Sequence, residues 1–261
     1  MDARRRLPWI PLLSAAVLCA MAGVSRAASN EDRMTCEGAL DVAPAHASRD
    51  VLAKSLQPVI EACSRVISGQ ERNSDLEEGF GDRGLAYHRL GEFQKAVEDY
   101  TAALKVQDLA DRAGVSRMLQ NRGGAYLQMG AWDHAIADFT GALDREPKGP
   151  AAADILIGLG AAYFGKGDRT MAVASFTRAM KLNPGSGSAM LNRAAAYLSG
   201  GQADLALADL DQLIRLRPDN AQARVDRGAI LARRGRADDA IADFAAAIAH
   251  RPSHAQAWLG R

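Results

Sequence analysis

NRGGAYLQMGAWDHAIADFTGAL, residues 121–143, holds two apolar-striped segments hinged at Met129-Gly130-Ala131. The stretch recurs. Its small-x-x-Tyr core appears as Gly84-Leu85-Ala86-Tyr87, Gly123-Gly124-Ala125-Tyr126, Gly160-Ala161-Ala162-Tyr163, Ala194-Ala195-Ala196-Tyr197 and Gly228-Ala229-Ile230-Leu231, at offsets of 39, 37, 34 and 34. A period of this length fixes the architecture before any single residue does.

Four residues after each core stands a glycine (Gly91, Gly130, Gly167, Gly201, Gly235), and five further an alanine (Ala96, Ala135, Ala172, Ala206, Ala240). Four beyond that comes an apolar anchor: Tyr100, Phe139, Phe176, Leu210 and Phe244. Val97, Ile136, Val173, Leu207 and Ile241 precede the anchors by three, the spacing of one helical face. Small residues let two helices approach closely, and the glycine permits the left-handed backbone of a tight turn. Pro147, Pro184, Pro218 and Pro252 lack a backbone donor and stop the second helix.

Small-x-x-Tyr, Gly, Ala-Ile/Val, Phe/Tyr and Pro at these offsets resemble the tetratricopeptide repeat family. The resemblance implies an all-α, right-handed solenoid of about five helix–turn–helix units, expected at 77–110, 116–149, 153–186, 187–220 and 221–254, within a repeat domain of residues 77–261. Three departures stand out. Asp108 replaces the first closing proline, Leu109 to Val115 reads as an inserted helical extension, and Leu231 replaces the fifth tyrosine. Residues 28–76 form a helical cap, in which Pro58 to Ile67 resembles the second helix of a degenerate unit with Cys63 at the anchor position. Residues 255–261 read as a partial sixth unit.

Residues 1–27 read as a signal peptide: Arg4-Arg5-Arg6, an apolar run from Trp9 to Gly23, and small residues at Ser25 and Ala27. The run falls short of the roughly 20 residues of a spanning helix. A periplasmic or secreted chain is therefore expected, the alternative being an uncleaved inner-membrane anchor. Loss of this segment removes Arg4, Arg5, Arg6, Arg26 and Asp2, turning the formal charge from +1 to −2. It leaves Cys36 and Cys63, an even pair that in an exported chain suggests a disulfide, worth ~3 kcal/mol by loop entropy. Two buried free thiols are the alternative. An export signal, a Cys-containing cap and such repeats together resemble exported repeat proteins of Gram-negative bacteria.

First helices of such repeats line a concave groove that commonly holds a peptide or a partner's helix. Before the core small residue four units carry Asp82-Arg83, Asn121-Arg122, Asn192-Arg193 and Asp226-Arg227, while the third has Gly158-Leu159. The resemblance implies peptide-backbone contacts for Asn121 and Asn192, whose amides offer both donor and acceptor. Asp82, Asp226, Arg122 and Arg193 complete the expected partner-binding set. Gln120, Leu191, Ala195 and Ala161 around it argue against a clamp for acidic tails. No phosphate loop, nucleophile elbow, carboxylate pair or metal-spaced histidine set is present, and the repeats leave no stretch for a catalytic domain. The near-zero charge gives no reason to expect nucleic acid. The expectation is a non-enzymatic scaffold of the bacterial envelope without cofactor, catalytic residue or metal. A membrane-anchored assembly or secretion subunit is the alternative, and an accessory subunit of an envelope enzyme a weaker one. Trp258 and Leu259 either pack over Phe244 and Ile248 or form a self-association surface.

Overall fold

The computed structural model describes residues 29–37, 48–69, 72–106 and 111–250. The signal segment, Pro252, Trp258 and Leu259 lie outside them. Among the described residues are twelve α-helices and no strand: α1 (Asn30–Glu37), α2 (Arg49–Gly69), α3 (Asn73–Arg89), α4 (Phe93–Val106), α5 (Arg112–Gln128), α6 (Trp132–Arg145), α7 (Gly149–Lys166), α8 (Arg169–Leu182), α9 (Gly187–Ser199), α10 (Ala203–Leu216), α11 (Ala221–Arg233) and α12 (Ala237–His250). None of these helices is long and apolar enough to cross a membrane.

Helices pair as hairpins from α3/α4 to α11/α12, and each pair stacks on the next. The turn glycines Gly91, Gly130, Gly167, Gly201 and Gly235 all have φ between 71° and 91°. Asp111, Asp168, Ser186 and Asn220 cap α5, α8, α9 and α11 by accepting a backbone N–H, at 3.1, 3.0, 3.3 and 2.9 Å. Of the expected extension from Leu109 to Val115, Leu109 and Ala110 lie outside the described residues, Asp111 is the cap and Arg112 to Val115 form the first turn of α5. Second helices end two residues before proline, and the intervening Glu146, Asn183 and Arg217 have ψ near 80°, which is not helical.

Ring size and the core small residue are matched. A Cβ on Gly160 would stand 2.5 Å from the Phe176 ring, and one on Gly228 2.9 Å from Phe244. Where the core residue is Ala194, the anchor shrinks to Leu210. Close packing leaves no room for both a Cβ and a ring. Trp132 lies against Gly165 of the next first helix, where a Cβ would meet its ring at 2.6 Å.

Ahead of the repeats, α1 and α2 form the cap. Cys36 and Cys63 are joined in a disulfide, their Cα atoms 4.8 Å apart, and both are buried with Leu56, Val59, Ala62 and Val66. First helices of successive units also touch one another: α1 with α3, α3 with α5, α5 with α7, and α7 with α9. They form the inner layer of the stack.

Candidate partner-binding groove

The arginines of the recurring pair do not project into the groove. Arg122 donates from Nε and Nη2 to both carboxylate oxygens of Asp138, at 2.8 and 2.7 Å, and from Nη1 to Thr101 Oγ1 at 3.0 Å. Arg193 does the same with Asp209, at 2.9 and 2.6 Å, and Thr177, at 2.9 Å. Arg83 holds Asp99 and reaches Ser64, while Arg227 holds Asp243 and reaches Asp211. Each arginine thus clamps its own second helix and ties back to the preceding one. Arg122 and Arg193 also lie over Tyr126 and Tyr197, one turn along their own helices. With side chains only 19% and 16% exposed, Arg122 and Arg193 are largely engaged as internal ties.

The back-reaching contact also supports the register of the cap. Thr101, Thr177 and Asp211 each follow an anchor, and Ser64 likewise follows Cys63. The third unit lacks the tie at both ends. Leu159 replaces the arginine, and Ser175 stands sixteen residues on where the others have aspartate; its hydroxyl donates instead to the Met171 carbonyl at 2.8 Å. Reasoning from sequence missed these aspartates, although each directly precedes an anchor and is missing only where the arginine is missing.

Residues before the arginines fare differently. Asp82 and Asn121, both half-buried, meet in one cavity of about 580 Å3, lined also by Glu37, Glu77, Glu78, Gly81, Leu85, Arg117 and Met118. Every lining residue comes from α1, α3 or α5, the inner layer. Asn192 and Asp226 are half-buried on α9 and α11 and lie outside this cavity, Asp226 accepting from Gln222 at 2.8 Å. At the equivalent Gly158 a Cβ would meet the Phe139 ring at 2.6 Å. This position therefore borders the seam with the preceding unit.

Electrostatics single out the cavity. Burial, then the nearby charges of Glu78 and Glu37, push the Asp82 carboxyl up to about 6, against the opposing pull of Arg117. Desolvation also raises Glu77, again opposed by Arg117. Glu37, Glu77, Glu78 and Arg117 were missed in the sequence: Glu78 and Asp82 share a helical face, but only the disulfide-held cap brings Glu37 to them.

Tetratricopeptide repeat models match residues 78–108, 121–187, 158–221 and 191–255, more than half of the chain. The chain belongs to the tetratricopeptide repeat family. Among solved members of that fold it is similar to MamA (24% identity, TM-score 0.55, covering 66% of this chain and 96% of that one). It is also similar to YrrB, described as a repeat protein with an unusual peptide-binding site (20%, 0.53, 77% and 97%). A tetratricopeptide repeat protein of Parabacteroides merdae aligns at 21% identity and TM-score 0.58, over 81% and 82% of the two chains. At these identities the likeness is one of fold. No curated protein matches the chain.

Proposed function

We propose that this tetratricopeptide repeat protein is a non-enzymatic interaction scaffold of the bacterial envelope, presenting its inner layer to a peptide or a partner's helix. The observation that carries this reading is the inner-layer cavity in which Asp82 and Asn121 meet, one offering an acceptor and the other an amide. The second helices are occupied with anchors and arginine clamps, so the inner layer is the surface left for recognition. YrrB, described as having an unusual peptide-binding site on the same fold, supports a peptide as the kind of partner. The disulfide and the N-terminal segment support an oxidising compartment, periplasmic or secreted.

Affinity capture from the native envelope, comparing wild type with Asn121→Ala/Asn192→Ala, tests the groove. The double variant is expected to lose a partner that wild type retains, with its thermal midpoint changed little. Equal capture by both proteins would refute the contact. The mass of the purified native chain tests the compartment: loss of residues 1–27 is expected, and an intact N-terminus would favour an anchored subunit.

A further inference from the structure

Helix α1, NEDRMTCE, stands in the inner layer ahead of α3, yet almost nothing of it is packed. Cys36 is its one buried residue, whereas α3, α5, α7, α9 and α11 each bury between four and seven. Its other apolar residue, Met34, is 69% exposed. Two ion pairs join α1 to its neighbours, Arg33 with Asp75 of α3 at 3.1 Å and Asp32 with Arg65 of α2 at 2.7 Å. Arg65 is more than half exposed, and pairs open to solvent hold weakly. Eight residues are also short of the roughly 12–15 at which an isolated helix persists in water. The hold on α1 therefore resides chiefly in the Cys36–Cys63 bond.

Helix α2 is anchored differently. Leu56, Val59, Ala62 and Val66 pack with Ala86 and Tyr87 of α3, so breaking the bond takes only one side chain out of that core. Cys36 also borders a cavity of about 220 Å3, walled by Arg33 and Glu37 of α1, Val66 of α2, and Asp75, Gly79 and Asp82 of α3. Cys63 is fully buried and lies outside that lining, so the bond is approached from the Cys36 side. We propose that α1 is a redox latch: bonded, it closes the N-terminal end of the inner layer, and on reduction by a small dithiol it undocks and bares the inner face of α3, while α2 and the repeats stay folded.

The chemistry is thiol–disulfide exchange. One thiolate of the dithiol bonds to the Cys36 sulfur as the Cys36–Cys63 bond breaks, and Cys63 leaves as a thiolate that takes up a proton. The second thiolate of the dithiol then displaces Cys36, which is protonated in turn. Two electrons and two protons have passed to the cysteines, and the dithiol has become a disulfide. Release of α1 removes the Arg33, Cys36 and Glu37 wall of the cavity, so the width of the inner layer at this end follows the redox state. The latch itself does not depend on what the groove binds.

Hydrogen exchange by mass spectrometry on the full chain, oxidised and then treated with excess dithiothreitol, tests this, with intact mass confirming that the bond is broken. Exchange across residues 30–37 is expected to rise at least about tenfold, while residues 49–69 and 73–89 keep their protection. Cys36→Ser, which cannot form the bond, should show the reduced pattern without any reductant, and reoxidation of the wild type should restore the slow one. An α1 that stays protected once the bond is gone would overturn the latch. So would loss of protection throughout α2 and α3, which would make the bond a staple for the whole cap, and so would a bond that dithiothreitol cannot reach in the folded protein.

Discussion

Units two and three build the same hairpin from opposite chemistry. In unit two the helices are clamped by Arg122 and Asp138, and Arg122 reaches back to Thr101. In unit three the corresponding residues are Leu159 and Ser175, and α7 runs apolar from Ala151 to Lys166 with Asp154 its sole carboxylate. There the Phe139 ring fills the space over Gly158, and Ile155, Leu156 and Leu159 join the core that spans units two to four. The difference teaches that the clamp is dispensable only as a pair. A half-removed ion pair leaves a charge in a desolvated seam, whereas an apolar replacement of both ends loses little.

The sharpest way to break this comparison is to remove one end. Asp138→Ala strands the Arg122 guanidinium and should cost about 3–5 kcal/mol in denaturant unfolding; a loss below about 1 kcal/mol would mean that water rescues it. Next in size is the position before the arginine, which is Asp82 in unit one and Gly158 in unit three. The folded-state value of Asp82, about 6 against the usual 3.8, means that the fold holds this proton more tightly than the unfolded chain does. Stability from this group is therefore full below about 4 and falls as pH rises through 6, by at most about 3 kcal/mol. Asp82→Asn should be the more stable protein at pH 7 and lose that advantage near pH 4. Glu78 and Glu37 strengthen the effect and Arg117 opposes it; parallel pH profiles for the two proteins would exclude it.

Gly158→Ala presses a Cβ into the Phe139 ring at 2.6 Å and should cost about 1–3 kcal/mol. A neutral result would show that the ring can shift, and that the apolar seam is looser than its geometry implies. The smallest effect belongs to the full conversion of unit two toward unit three. Arg122→Leu/Asp138→Ser is expected to fall within about 1.5 kcal/mol of wild type, far above either half-change alone, as read from denaturation midpoints. If the double change costs as much as Asp138→Ala, the two units are not interchangeable.

The hairpins were legible because their signals are local and recurrent: a glycine where φ turns positive in all five units, a closing proline in four, and a glycine opposite a ring in four. The arginine clamp was half legible. The sequence placed Arg122 and Arg193 on first helices, but a helical face admits several directions, and the aspartate that decides among them lies sixteen residues away on another helix. The cavity was the least legible part, since Glu37 reaches Asp82 only through the docking of the cap, which the Cys36–Cys63 bond and the Arg33–Asp75 and Arg65–Asp32 ion pairs hold in place. Chain folding, not spacing along one helix, brings those carboxylates together.

The direction of the ties has a kinetic consequence. Arg83, Arg122, Arg193 and Arg227 each reach the unit before their own, with Ser64 in the cap receiving the first. Both cysteines of the cap precede every repeat, so its covalent closure needs no downstream sequence. As the chain emerges, N-terminus first, into the oxidising compartment proposed above, each new hairpin but the third, where Leu159 replaces the arginine, meets a finished template carrying the acceptor that its arginine seeks. A stack with only nearest-neighbour contacts can then grow in one direction, one hairpin at a time, without waiting for the chain to end.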